Sequence, residues 1–128
     1  MPSSPKTVLV IEDDRPIFLV MKGHLEGAGH RVLGASSGEE GLALARTGGV
    51  DLITLDVLMH PVDGWTVFHA LRNDPLTQKI PIVFVTIVDE RPEGLVAEGY
   101  VTKPFRGRDL LDVVERALRT GSDAPTRT

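Results

Sequence analysis

Cysteine is absent from the 128-residue chain. That excludes thiol nucleophiles, cysteine-ligated zinc and a disulfide framework, and it agrees with a reducing compartment. Positive charge is short, with 14 Lys and Arg against 18 Asp and Glu and a formal net charge of −4. A chain without a basic footprint is not expected to bind nucleic acid directly. Long hydrophobic runs are missing as well. The most apolar stretch, Ile80 to Val88, is interrupted by Pro81 and falls far short of the ~20 residues that span a bilayer. The amino terminus, MPSSPKTVLVIEDD, carries one Lys and a short apolar run before three acids, which is not a secretory signal. A cytoplasmic protein with no membrane span is the expectation. What is present is the composition of a globular domain, 41% hydrophobic and 25% charged, with enough chain to bury one core unaided.

Apolar periodicity sets the expected element order. Thr7 to Ile11 is a continuous β-branched and Leu run, long enough for a strand buried on both faces and too short for a helix. Ile17, Met21, His24 or Leu25, and Ala28 then recur at helical spacing, with Pro16 suited to a first turn and Gly29 to a stop. Arg31 to Ala35 predicts a second strand. Ser36 and Ser37 each precede a Glu by three positions, Glu39 and Glu40, the pattern of a capping box. Leu42 and Ala45 stripe the helix behind it. Asp51 to Asp56 predicts a third strand, and Asp63 is placed to cap a helix from Gly64 to about Arg72 with Trp65, Phe68 and Leu71 facing inward. Ile80 to Thr86 and Tyr100 to Lys103 predict strands four and five. Leu110, Leu111, Val114, Ala117 and Leu118 stripe a last helix, and a leader (1–6) and a polar tail (120–128) flank the domain.

Strands alternating with helices predict an α/β fold with a doubly wound parallel sheet, because parallel neighbours need crossovers and the crossovers are right-handed. In such sheets ligands bind beyond the carboxyl ends of the strands. The residues there are Glu12, Asp13 and Asp14 after strand one, Asp56 after strand three, Thr86 after strand four and Lys103 after strand five. Converging carboxylates repel one another, and a hard divalent cation relieves that repulsion. Magnesium suits a few carboxylates, retained waters and phosphate oxygens. Singly, each residue has a plainer role: a strand-end acid usually caps a helix, a Lys is usually solvated, and Asp63 is assigned to capping. Their coincidence at one rim is the signal. His60, in the loop after Asp56, is read as solvated rather than as a base or ligand.

In order, VLVIEDD, DLITLDVLMHPVDGW, PIVFVT and YVTKPF resemble the motifs of the receiver domain of bacterial two-component response regulators, over residues 7 to 119. Each motif is weak alone, and the set is specific. The resemblance implies a flavodoxin-like sheet of five strands in the order 2-1-3-4-5. It also implies that Asp56 is the phosphoacceptor and that Glu12, Asp13, Asp56 and the Leu58 backbone carbonyl hold Mg2+. By the same resemblance the Thr86 hydroxyl follows the phosphoryl group, Lys103 is the family's lysine, and Tyr100 is the aromatic switch position. Gly64, eight residues after Asp56, fits as well. A sensor histidine kinase or phosphotransfer protein is the implied donor, and the downstream partner is a protein that the sequence does not identify. Self-phosphorylation and self-dephosphorylation are the implied chemistry, so no enzyme acting on a separate substrate is expected.

Three positions depart from the family pattern. His60 followed by Pro61 replaces the usual proline four residues after the phosphoacceptor, and Ile87 follows Thr86 where a small residue is usual. The interval from Thr86 to Lys103 is 17 positions, about five short. The fourth crossover is therefore expected to form at most a two-turn helix, Pro92 to Glu98. Apolar sheet near strands four and five would be uncovered and attract a second copy or a dedicated partner. A stand-alone receiver that signals by docking is the expected function, and a pseudo-receiver that binds a partner without phosphorylation stays open as the alternative. Other classes fit worse. A haloacid-dehalogenase-type phosphatase needs an acid two residues after its nucleophile, where this chain has Leu58, and three acids after strand one repel the phosphates of a dinucleotide or flavin.

Overall fold

The computed structural model describes residues 5–88 and 94–123. Along them run β1 (Thr7–Ile11), α1 (Arg15–Gly27), β2 (Arg31–Ala35), α2 (Gly38–Arg46), β3 (Leu52–Leu55), α3 (Gly64–Arg72), β4 (Ile82–Thr86), β5 (Gly99–Thr102) and α4 (Gly107–Asp123). The strands form one parallel sheet in the order β2-β1-β3-β4-β5, as the motifs implied.

Alternation along each strand divides the core into two layers. Leu9, Ile11, Ile53, Leu55, Ile82 and Phe84 pack with residues of α2 and α3. Their neighbours Val8, Val10, Leu52, Val83 and Val85 pack with residues of α1 and α4. Strands covered on both faces need no polar positions, which is why β1 and β4 read as unbroken apolar runs. Thr54 is the exception on β3. Register pairs it with Val10 and Val83 in the second layer, and its buried hydroxyl has no hydrogen-bond partner among the described residues.

The helix ends follow their capping residues. Asp14 accepts the Ile17 N–H at 3.1 Å, Pro16 sits in the first turn of α1, and Gly29 takes a φ of +94° just past its end. Ser37 caps α2 by accepting the Glu40 N–H at 3.1 Å, while the Glu40 carboxylate returns to the Ser36 N–H at 2.8 Å. Asp63 caps α3 by accepting the Thr66 N–H at 2.9 Å. Val67 joins Phe68 and Leu71 in the buried stripe of α3, with Trp65 half-buried beside them.

Four boundaries differ from expectation. β3 is shorter than the Asp51 to Asp56 run, and β4 starts at Ile82, because Pro81 has no N–H to give a ladder. β5 lies one residue earlier than Tyr100 to Lys103. α4 runs on to Asp123, so the tail expected after Arg119 begins inside it. Polarity alone does not end a helix.

The fourth crossover also differs. Residues 89–93 lie outside the described residues, but Gly94–Glu98 is not helical, so the helix expected from Pro92 to Glu98 does not form over that part. Leu95 and Ala97 instead pack against the α2 and α3 layer, and β4 is buried along its whole length. Uncovered sheet was expected near strands four and five; among the described residues it is not found at β4, while β5 is half-buried and Val96 in the same segment is 73% exposed.

Candidate functional site

The strand ends meet at one rim. Glu12, Asp56 and Thr86, each the last strand residue or the one after it, are 3%, 5% and 2% exposed, while Asp13 stands in solvent. Backbone ladders carry on one residue past the strands and fix these positions. The Glu12 N–H donates to Ala35 O at 3.0 Å, the Asp56 N–H to Ile11 O at 3.2 Å, and the Lys103 N–H to Thr86 O at 3.0 Å. α3 closes down on the same place. A Cβ at Gly64 would collide with the Asp56 carbonyl oxygen, and the Gly64 N–H donates to Val57 O at 2.8 Å. Only glycine allows that approach.

Lys103 bridges two of the carboxylates. Its Nζ donates to Glu12 Oε1 at 2.8 Å and to Asp56 Oδ2 at 2.9 Å. The second oxygens are engaged by backbone, Glu12 Oε2 by the Asp14 N–H at 3.1 Å and Asp56 Oδ1 by the Leu58 N–H at 3.2 Å. One carboxylate oxygen from each of Glu12, Asp13 and Asp56 lies within 4.8 Å of the others. Three acids against one ammonium leave the rim with excess negative charge when all are ionised, and an all-oxygen donor set of this kind suits a hard divalent cation.

Burial pushes the Glu12 carboxyl above its ordinary 4.5, and the Asp56 charge adds to that. The Lys103 hydrogen bond, the Asp14 N–H and the Lys103 charge oppose it without cancelling it. Like-charge crowding is thus secondary to desolvation. For Lys103 burial acts downward, yet hydrogen bonds to Glu12 and Asp56 and their charges outweigh it, and its pKa stands above 10.5.

The other expected residues surround this group. Thr86 Oγ1 accepts the Val88 N–H at 3.2 Å. Tyr100, half-buried on β5, stacks on Phe84 with ring centroids 5.4 Å apart and planes at 20°. The Leu58 and Ile87 side chains are exposed. His60 is exposed too, ahead of a cis peptide to Pro61. Asp14, grouped with the rim acids in the sequence, serves instead to hold and cap: its amide donates to Glu12 and its carboxylate caps α1. An Asp two residues before a Pro that opens an apolar helix was the available signal.

This sheet, with this rim, defines a class. The family model of the response regulator receiver domain matches residues 8–115, and the chain belongs to that family. Among curated relatives, the transcriptional regulatory protein AfsQ1 of Streptomyces coelicolor is 37% identical over 125 residues, covering 94% of this chain and 54% of that protein. Protein PilH of Pseudomonas aeruginosa is 30% identical over 116 residues, covering 87% of this chain and 96% of its own. The chain spans about half the length of the transcriptional regulators it matches. A solved CheY-like receiver domain protein from Methanospirillum hungatei superposes with a TM-score of 0.86 at 25% identity, over 94% of this chain and 99% of that one. Among the described residues no helix is long and apolar enough to cross a membrane.

Proposed function

We propose that this receiver domain is a phosphoacceptor in which Asp56 takes a phosphoryl group from a histidine kinase or phosphotransfer protein and so changes which partner the domain binds. The observation that carries the reading is the Lys103 bridge: a buried strand-end aspartate held 2.9 Å from an ammonium, beside two further acids. An Asp56 carboxylate oxygen attacks phosphorus, the bond from phosphorus to the donor nitrogen breaks, and the donor departs with that electron pair. The product is an acyl phosphate. Lys103, kept protonated by its partners, stands where it neutralises charge on the transferred group. Thr86 accepts from Val88 and keeps its own O–H to donate to a phosphoryl oxygen. That contact exists only after transfer, which is the differential interaction a population shift requires.

The donor set of Glu12, Asp13 and Asp56, with the Leu58 carbonyl, fits Mg2+. When bound, the ion supplies positive charge that attracts phosphoryl oxygens and offsets their charge during transfer. The reaction consumes the domain's own carboxylate, so the protein is not an enzyme acting on a separate substrate. A pseudo-receiver remains the second reading, favoured by the apolar Ile87 and Leu58 side chains at the rim. Retention of every charged site residue weighs against it. Incubation with a small acyl phosphate and magnesium, followed by peptide mapping, should place the label on the Asp56 peptide and lose it in Asp56→Asn. Equal labelling of Asp56→Asn overturns the assignment.

A further inference from the structure

β5 is a four-residue strand at the edge of the sheet, bonded to β4 alone. The strap that feeds it, Gly94–Glu98, brings no helix to hold it. Yet β5 decides where Lys103 stands. A slip of one residue would carry the side chain about 3.3 Å along the strand and turn it to the other face of the sheet. Its far end is fixed by the Lys103 amide on Thr86 O at 3.0 Å. The near end is fixed at Glu98, whose N–H donates to Ile82 O at 2.9 Å and whose Oε1 accepts the Ile82 N–H at 2.7 Å.

The same Oε1 accepts from Arg72 Nη2 at 2.7 Å. Arg72, the last residue of α3, donates through Nη1 to Ile80 O at 2.8 Å and Gln78 O at 3.3 Å, with its guanidinium 5.0 Å from the Phe68 ring centroid. One planar fork thus ties α3, the run into β4 and the strap into β5. The two side chains are 22% and 24% exposed, and a Lys in place of Arg72 offers no such fork.

We propose that Arg72 and Glu98 are positioning residues for phosphoryl transfer: their clamp sets β5 against β4 and so keeps Lys103 on Asp56. The proposal rests on the reading of Asp56 as the phosphoacceptor. Were the clamp only stabilising, its loss would lower the melting temperature without acting through Lys103.

The test is a double-mutant cycle on the phosphorylation rate, using a small acyl phosphate at fixed concentration with excess magnesium, at a temperature where all variants are folded. Arg72→Met should slow labelling about tenfold when Lys103 is present and by less than about twofold in the Lys103→Ala background. Magnesium affinity, read by calorimetry, should not fall. Glu98→Gln keeps an acceptor for the Ile82 N–H, so its loss should be smaller but equally confined to the Lys103 background. It replaces Arg72→Met in the cycle if that variant does not fold. No loss, equal losses in both backgrounds, or a loss of magnesium affinity overturns the proposal while leaving Asp56 as the acceptor. Absence of label on the unsubstituted protein overturns the Asp56 reading, and the clamp's role in transfer with it.

Discussion

The Glu12 carboxyl, raised above 4.5 chiefly by burial, binds a proton more tightly in the folded chain than in the unfolded one. That contribution to stability is full below the ordinary value and is lost as pH rises through the raised folded value. Lys103, raised above 10.5, contributes stability that is full below 10.5 and lost as pH climbs through its folded value. Melting temperature should therefore decline above about pH 4.5, and Glu12→Gln, neutral at every pH, should flatten that slope. Equal slopes in the two proteins would contradict it. At the other strand ends, Ile87 is 61% exposed, so Ile87→Ala should change stability by no more than about 0.5 kcal/mol. If the side chain hinders access to the rim, both phosphorylation by a small donor and hydrolysis should speed up, and two unchanged rates would remove the steric role. Thr54 supplies a purely structural check. Thr54→Val keeps the shape and deletes an unpartnered buried hydroxyl, so denaturant unfolding should show a gain of about 1 kcal/mol.

Strands and helices were legible wherever a local signal and the tertiary fold agreed. β2 and α3 lie where the sequence put them, and Ser37 and Asp63 cap as expected. Asp63→Ala should therefore destabilise by about 1 kcal/mol in a denaturant titration. Charged strand ends were legible because polar groups have no place inside a sheet covered on both faces, so Glu12, Asp56 and Lys103 could only mark an end. Failures came where distant groups decide. The path of Gly94–Glu98 depends on Arg72, 26 positions before Glu98, and no periodicity announces such a pair. Converging carboxylates were legible, but the larger cause of the raised Glu12 carboxyl is the depth at which β1 ends, which only packing sets. The reach of α4 to Asp123 was not legible, because the polar residues after Arg119 carry no apolar stripe to mark a helix.

The domain gathers its reactive groups from four strand ends, those of β1, β3, β4 and β5, with the start of α3 closing on the same rim. Magnesium bound by the folded form alone should raise the melting temperature, more so at about pH 8 than at about pH 5, since ligand carboxylates must be ionised. Curves insensitive to millimolar magnesium at the higher pH would remove the metal site. Phosphoryl acceptance itself is read most directly by intact mass after incubation with a small acyl phosphate, with magnesium and with a chelator. The chain should gain one phosphoryl group with magnesium and essentially none with chelator. No gain in magnesium, or an equal gain in both, would contradict a metal-assisted phosphoacceptor at Asp56.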